Sequence, residues 1–511
     1  EFDMEKKFES FIGIFKKAME EHPDKTAVIV DDRRRTYGEI FEHAAKIAGH
    51  LSRCNIRKGD PVAIISVNHA DYVETVLGCI MAGAVAVKLN WRLAAPELHY
   101  LLSFNHVKYM FFRSGDAKIR GEMKELTFSL CPAMDMDLMD KILEQWEPLE
   151  EFVKRDDDHI LMHLHTSGTT GFPKVVRYTN GEFLRQMESC IGSLLFESST
   201  IFQMMSQMFH SASMGTYACL ACGGTVVGFS RFDPVRYMAS VEVNRVTRLS
   251  AIPTVLTALL NHPDLGRYDM SSIRMISYST CPMPPELIRR AIDRFHCDFQ
   301  QSYGMTEMCS IVTILSPEDH LRCNMRYLNS VGKPIAGHEV KIVHENGGEC
   351  SAGEVGEICV KGPGMMKDYY QMEEETMASI RCGWYHTRDM GSLDKEGYLY
   401  VRGRKNDMII SGGENIFPLE IENVLSTHPD IAEASVMGVR DDYWGEAVHA
   451  CVILKHQGTL NGQDIRDYCR GKIAGYKIPK KVHIYEEFPR TATGKVMKAG
   501  LVERIEKETG S

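Results

Sequence analysis

The run His165-Thr166-Ser167-Gly168-Thr169-Thr170-Gly171-Phe172-Pro173-Lys174 has the residue types that hold a polyphosphate. Its glycines let backbone N–H groups converge on a ligand, its hydroxyls add donors, and Lys174 supplies positive charge. It follows the apolar stretch His159-Ile160-Leu161-Met162-His163-Leu164, which reads as a strand. The Walker pattern is absent, because Phe172-Pro173 separates Gly171 from Lys174 and no Ser or Thr follows the lysine. A plain Ser/Thr/Gly surface loop has the same composition.

Other stretches carry compatible chemistry. Gln301-Ser302-Tyr303-Gly304-Met305-Thr306-Glu307 follows an expected strand, Asp298 to Gln300. Tyr303 there can stack on a base, while Thr306 and Glu307 suit phosphate and Mg²⁺. Taken alone, Glu307 reads equally well as the acid of a helix N-terminus. Ser279-Thr280-Cys281-Pro282, after the expected strand Met275 to Tyr278, is a small-residue floor for a flat ligand. His210, after Phe209, reads as a pocket wall beside the phosphate loop or as a packed structural histidine. Asp389, in Thr387-Arg388-Asp389, is expected at a tight turn where its carboxylate could accept both hydroxyls of a ribose. Lys495 closes the exposed loop Pro489-Arg490-Thr491-Ala492-Thr493-Gly494-Lys495 and by itself is a surface lysine.

The elements that must position these residues follow from periodicity. Phe8 to Glu20 and Tyr37 to Arg53 read as amphipathic helices, and Thr26 to Val30 as a strand. Arg33-Arg34-Arg35 between them reads as a solvated turn. Strands at Asp60 to Val67 and Ala84 to Leu89 flank a helix at Tyr72 to Ala82, an alternation that predicts an α/β domain with a largely parallel sheet. A helix is expected at Glu182 to Phe196, with strands at Phe202 to Met208, Thr225 to Phe229 and Arg248 to Ile252. From Pro334 the texture turns to short β segments at Glu339 to Val343, Gly356 to Val360 and Tyr398 to Val401. The polar break Arg402 to Asp407 is a domain boundary. Beyond it the pattern reads helix Pro418 to Ser426, strands Ala432 to Val439 and Val448 to Leu454, helix Gly462 to Lys472 and strand Lys481 to Ile484.

A chain of 511 residues needs more than one core, and its formal charge of −10 offers nothing to nucleic acid or to an anionic membrane. No apolar run is long enough to span a bilayer, and Glu1, Asp3 and Glu5 precede any hydrophobic stretch, unlike a secretory leader. Glu1-Phe2-Asp3 reads as foreign to a native start at Met4. Among 15 cysteines the single CxxC, Cys219 to Cys222, lies in an apolar run and reads as buried thiols. A reduced, cytoplasmic protein is expected.

Taken together, His165–Lys174, Gln301–Glu307, Thr387–Asp389 with Gly403-Arg404, and Pro489–Lys495 make the chain resemble the adenylate-forming superfamily of acyl- and aryl-CoA synthetases. The motifs stand in the family order and cover nearly the whole chain. The resemblance implies a large N-terminal α/β domain over 4–404, with mixed and parallel sheets and a small β-rich subdomain. A small, mobile α+β C-terminal domain over 405–509 would follow, hinged at Asn406. It further implies that Thr166, Ser167, Gly168, Thr169 and Thr170, with Lys174, hold the β- and γ-phosphates of ATP. Tyr303 would stack on adenine against Ser279, Thr280 and Cys281, Thr306 would touch the α-phosphate, and Glu307 would coordinate Mg²⁺. Asp389 and Arg404 would hold the ribose, Lys495 the reacting carboxylate, and Gly412, Gly413 and Trp444 the coenzyme A side. Where relatives have Thr-Gly-Asp this chain has Thr387-Arg388-Asp389, which suits a turn only with negative φ at Arg388.

The implied reaction is carboxylic acid + ATP + CoA → acyl-CoA + AMP + PPi, with an acyl-adenylate between. A stand-alone adenylation enzyme serving a separate acyl carrier protein, or a silent binding protein of the same fold, are the alternatives. A monomer or a homodimer is compatible with the sequence. The expected acid pocket, at Ser211, Ala212, Met214, Met308 and Cys309, is small and thioether-lined, with no lysine or arginine in sight. It predicts an apolar monocarboxylate, a medium or long fatty acid or an aromatic acid.

Overall fold

The computed structural model describes residues 10–125, 130–166, 173–279, 283–321, 326–412, 414–441, 443–456, 458–491 and 495–509. These form two compact units. The larger comprises Glu1–Met283, Arg289–Glu339 and Lys361–Tyr385, and the smaller comprises Pro284–Ile288, Val340–Val360 and His386–Ser511.

Two sheets organise the larger unit. One runs in the order Lys333–Pro334, Ser310–Leu315, Asp298–Met305, Met275–Tyr278, Arg248–Ala251, Ile201–Gln203, Thr225–Gly228, Thr26–Val30, Arg33–Thr36. The other runs Asp368–Tyr369, Val175–Thr179, Ile160–His165, Val85–Leu89, Pro61–Ile65, Tyr109–Phe112, Ala133–Asp135. Parallel pairing dominates both centres, as between Met275–Tyr278 and Asp298–Met305 and between Val85–Leu89 and Ile160–His165. Helices cover both faces of a parallel sheet, so these strands are apolar almost throughout. Val85–Leu89 is buried at every position, Lys88 included.

Helices begin where the sequence offers caps. Thr36 and Glu39 close a capping box ahead of the helix Tyr37–Arg53, whose Ile40, Ala44, Ile47, Ala48 and Leu51 form one buried face. Thr179 and Glu182 do the same for Asn180–Leu194. Among the described residues no helix is long and apolar enough to cross a membrane. Cys219 is buried on the helix Met214–Ala221, where burial pushes its thiol pKa up.

The smaller unit carries a sheet ordered Glu339–Val343, Gly356–Lys361, Trp384–Leu393, with Leu399–Arg404 also paired to Trp384–Leu393. A second sheet joins Glu414–Ile416, Ile409–Ser411, Gly445–Leu454 and Ile431–Asp441, and Lys481–Ile484 pairs in parallel with Gly445–Leu454. Ile421, Leu425, Val436, Val448 and Ile465 form its core against the helices Pro418–Ser426 and Gly462–Cys469.

Two expectations need correction. Arg33–Thr36 is an antiparallel strand and not a solvated turn. Its Arg35 side chain is largely buried between Glu74 and Asp140, because Glu74 is itself fully buried and needs a cation. The expected strand Phe202 to Met208 contracts to Ile201–Gln203, and Met204–Phe209 continues as loop.

A buried ion network ties the helix Asp71–Met81 to the strand Tyr109–Phe112. Arg113 Nη2 donates to both oxygens of Asp71 at 2.6 Å, and Arg113 Nη1 also pairs with Asp137. Burial alone would raise the Asp71 pKa, but hydrogen bonding from His69 and the Arg113 charge outweigh it and hold the carboxyl at about 2. Arg113→Met, which strands that carboxylate, is expected to lower stability by about 3–5 kcal/mol in denaturant titrations. The Asp71 contribution is complete above its ordinary value of 3.8 and lost as pH falls through about 2. A variant whose stability differed from wild type equally at pH 7 and pH 2 would refute this assignment.

Candidate active site

Ligands in open α/β sheets gather at the carboxyl ends of parallel strands. The strand Asp298–Met305 extends five residues beyond its expected end at Gln300, so Tyr303 lies within it and Thr306-Glu307-Met308 form a 3₁₀ turn immediately after. Ser279 follows the neighbouring parallel strand at the same end, with Tyr278 paired to Gln301. Thr280 and Cys281 lie outside the described residues. Tyr369 Oη donates to Glu307 Oε1 at 2.8 Å, and the Tyr385 hydroxyl, 3.2 Å from that of Tyr369, bonds the same carboxylate. Burial, reinforced by the charge of Glu307, pushes both phenol pKa values up, so both remain donors.

The glycine-rich run is the connection between the antiparallel strands Ile160–His165 and Val175–Thr179. Thr166 N donates to Lys174 O at 3.0 Å and Lys174 N to Thr166 Oγ1 at 3.2 Å, closing the loop at its base. Ser167, Gly168, Thr169 and Thr170 lie outside the described residues. Lys174 pairs with Glu375 and stands 4.8 Å from the Tyr369 ring centroid. Below the loop, His165 Nδ1–H donates to Lys88 O at 3.1 Å and Nε2 accepts from Asn105 Nδ2 at 3.3 Å. Burial pushes His165 down to about 4 and His163 down to about 3, so both imidazoles are neutral.

His210 caps a short 3₁₀ turn, its Nδ1 accepting from Ala212 N at 3.1 Å. The next residue joins the sites: Ser211 Oγ and Thr306 Oγ1 lie 3.3 Å apart. Ser211 also lines a cavity of about 10 Å³ with Leu164, Ser213, Met214, Cys309 and Lys88. The pocket therefore does contain a lysine, contrary to the sequence expectation. Lys88 is only 2% exposed, its Nζ donates to Ser213 Oγ at 3.1 Å, and burial pushes its pKa down to about 7. Sequence reading missed it because a lysine inside an apolar strand carries no sign of which cavity it faces. Its own signal was the buried position in Val85–Leu89.

In the smaller unit, Asp389 is buried and faces Arg404 across the antiparallel pair Trp384–Leu393 and Leu399–Arg404, with Arg404 Nε 2.8 Å from Asp389 Oδ1. Asp389 is thus on a strand and not at the expected turn. The neighbouring Arg388 has φ +61°, the left-handed region and not the negative φ that arginine favours. Thr387 Oγ1 accepts from Asp389 N at 3.0 Å and holds the carboxylate's backbone in place. Gly412, at φ +60°, donates to Trp444 O at 2.8 Å, and Lys480 Nζ stands 4.4 Å from the Trp444 ring centroid. Gly413 lies outside the described residues. Lys495 is exposed on a loop closed by Thr491 N donating to Lys495 O at 2.8 Å.

Known families and proteins match most of the chain. The family profile described as AMP-binding enzyme covers residues 15–370, and that for the AMP-binding enzyme C-terminal domain covers 420–495. The chain belongs to the AMP-binding enzyme family. The feruloyl-CoA synthase of an Amycolatopsis species is 35% identical over 486 residues, 94% of this chain and 96% of that protein. The o-succinylbenzoate CoA synthetase of Bacillus subtilis, solved with its acyl-adenylate intermediate, superposes with a TM-score of 0.85 at 33% identity, over 96% of this chain and 97% of that one. The same enzyme solved with ATP and a magnesium ion gives a TM-score of 0.83 at 33% identity, over 96% and 98%.

The fold is that of the adenylate-forming enzymes, and this member is an ATP-dependent acid–thiol ligase that uses Mg²⁺ and coenzyme A. Its residues fit those groups. The Glu307 carboxylate and the Thr306 hydroxyl are hard oxygen donors of the kind Mg²⁺ takes, on adjacent positions of one turn.

Because Arg388 occupies a glycine conformation, Arg388→Gly is expected to raise stability by about 0.5–1 kcal/mol, less than the full left-handed penalty since glycine also frees the unfolded chain. A thermal midpoint below wild type would show that contacts of the arginine side chain outweigh the backbone strain.

Proposed function

We propose that this AMP-binding enzyme joins a carboxylic acid with a largely apolar skeleton to coenzyme A through an acyl-adenylate, using the residues assigned by motif. The observation that carries the reading is the 3.3 Å contact between Ser211 and Thr306. It links the wall of the acid cavity to the turn that carries Glu307, so that an acid carboxylate and a phosphate chain share one place. Met162, Leu164, Phe183 and Met214 give that cavity its apolar walls.

In the first step a carboxylate oxygen attacks the α-phosphorus of ATP and pyrophosphate leaves. Both reactants are anions, so the barrier is electrostatic and orientational. Thr166 to Thr170 and Lys174 hold the β- and γ-phosphates, Tyr303 packs on adenine beside Ser279 to Cys281, and Thr306 touches the α-phosphate. Bound at Glu307, Mg²⁺ would neutralise phosphate charge. Asp389 holds the ribose hydroxyls with Arg404 steadying the carboxylate, and Lys495 meets the reacting oxygens. In the second step the CoA sulfur attacks the acyl carbon, the thiol proton is released and AMP departs. Gly412, Gly413 and Trp444 serve that step, His210 walls the pocket, and motion of 405–509 about Asn406 exchanges the two faces. ATP and CoA as cosubstrates fit a cytoplasmic setting.

The acids named in the relatives differ from one another, so they support the reaction type and leave the substrate to this chain's own pocket. A separate carrier protein in place of CoA is the alternative acceptor. The test is pyrophosphate release with Mg-ATP over a panel of acids, each with and without CoA. Release that requires both, with the thioester confirmed by mass, supports the proposal, whereas acid-dependent release that CoA fails to accelerate points to a carrier. Lys495→Ala is expected to slow adenylation by about 100-fold or more and to alter thioester formation from preformed acyl-adenylate only slightly. Equal losses in both steps would remove Lys495 from the first.

A further inference from the structure

Lys88 has no role in the reaction just described, and its position is costly. It is 2% exposed, on a strand buried at every residue. An ammonium taken out of water loses several kcal/mol, on the order given by ion desolvation, unless something of opposite charge or several acceptors replace the water. Here Ser213 Oγ, at 3.1 Å, is its one hydrogen-bond acceptor among the described residues, and no carboxylate there lies within ion-pair distance. The Tyr217 ring centroid at 5.4 Å adds a weak face contact. An ammonium has three N–H donors, so two lack acceptors among the described residues.

The cavity beside it supplies the missing side of the account. Besides Lys88, the wall combines the hydroxyl-bearing Ser211, Ser213 and Tyr217 and the thiol of Cys309 with apolar side chains such as Met162 and Leu164. Ser211 opens at one end onto Thr306. The free space of about 10 Å³ accommodates roughly one water-sized oxygen beside Lys88.

We propose that Lys88 recognises a second oxygen-bearing group, a carboxylate or a ring hydroxyl, at the end of the substrate acid remote from the carboxylate that is adenylated. The enzyme's acids are then polar at both ends, with an apolar skeleton between. The inference rests on the acid–CoA ligase reading. A pocket built around a buried donor discriminates strongly, since an acid lacking the acceptor leaves that donor unpaired.

The experiment compares matched acids by kcat/KM for AMP formation with CoA: short dicarboxylates against their monomethyl esters, and hydroxybenzoates against benzoate. The wild-type enzyme is expected to favour the doubly polar member of at least one series by about 100-fold or more, and which series responds distinguishes carboxylate from hydroxyl. Lys88→Met, of similar length without charge, is expected to abolish that ratio mainly through KM, and Lys88→Arg to retain part of it. A preference missing from the wild-type enzyme in both series, or one that survives Lys88→Met, overturns the inference; the wild-type comparison decides even if the variant does not fold. No AMP formation with any acid would sink the ligase reading itself, whereas turnover without preference sinks only the role of Lys88.

Discussion

At Gly304 two antiparallel strands approach so closely that a Cβ would stand 1.5 Å from the Ser310 carbonyl oxygen. No side chain fits, and the register shifts between Tyr303 and Gly304 to accommodate the crossing. The return is equally tight, with Cys309 at φ +53° and Ser310 at φ +104°. Strain of this kind persists only where surrounding structure over-determines it. Here the restraint is visible: Cys309 N donates to the buried Tyr178 hydroxyl at 3.1 Å, and Met366 N to Glu307 O at 2.8 Å. Tyr303 before the crossing and Thr306-Glu307 after it therefore have fixed places. Ser211 and the two tyrosines reach those places from other elements.

Much of this was legible in sequence because the signals were local. Thr26–Val30, Tyr37–Arg53, Met275–Tyr278 and Pro418–Ser426 fall on their expected limits, each bounded by a cap, a turn or a proline. Hydroxyl, glycine and acid types at fixed spacing also marked the motif residues as candidates. What escaped depends on contacts distant in sequence. Arg35 looked solvated because Glu74 and Asp140, its partners, come from elements far along the chain. Lys88 and Ser213 are 125 residues apart, and a strand buried on both faces gives no alternation to show where a side chain points. Arg388 declared a departure, but only backbone geometry gives the sign of its φ.

The charges around the glycine-rich run are arranged sparingly. The two histidines of its leading strand are neutral, and their hydrogen bonds go to Asn105 and the Lys88 carbonyl. They brace the loop and bring no charge to it. Lys174 is the cation at its base, already paired with Glu375. A polyphosphate that engages Lys174 exchanges one anion for another, which avoids the cost of holding a bare cation while the site waits.

Lys88 is the opposite case in the same unit. Lys174 keeps a carboxylate partner and partial exposure, whereas Lys88 has a serine hydroxyl, an aromatic face and almost no water. Burial has moved its pKa to about 7, so at neutral pH the site lies near the balance between amine and ammonium. An anionic acid entering the cavity tips that balance toward ammonium, because an opposite charge at contact favours the charged form. The lysine then becomes a full cation when the ligand that compensates it arrives, and the empty pocket carries less than a full buried charge. That coupling makes a buried lysine tolerable in the core of a sheet, and it makes the substrate's far end the group that stabilises the charged form.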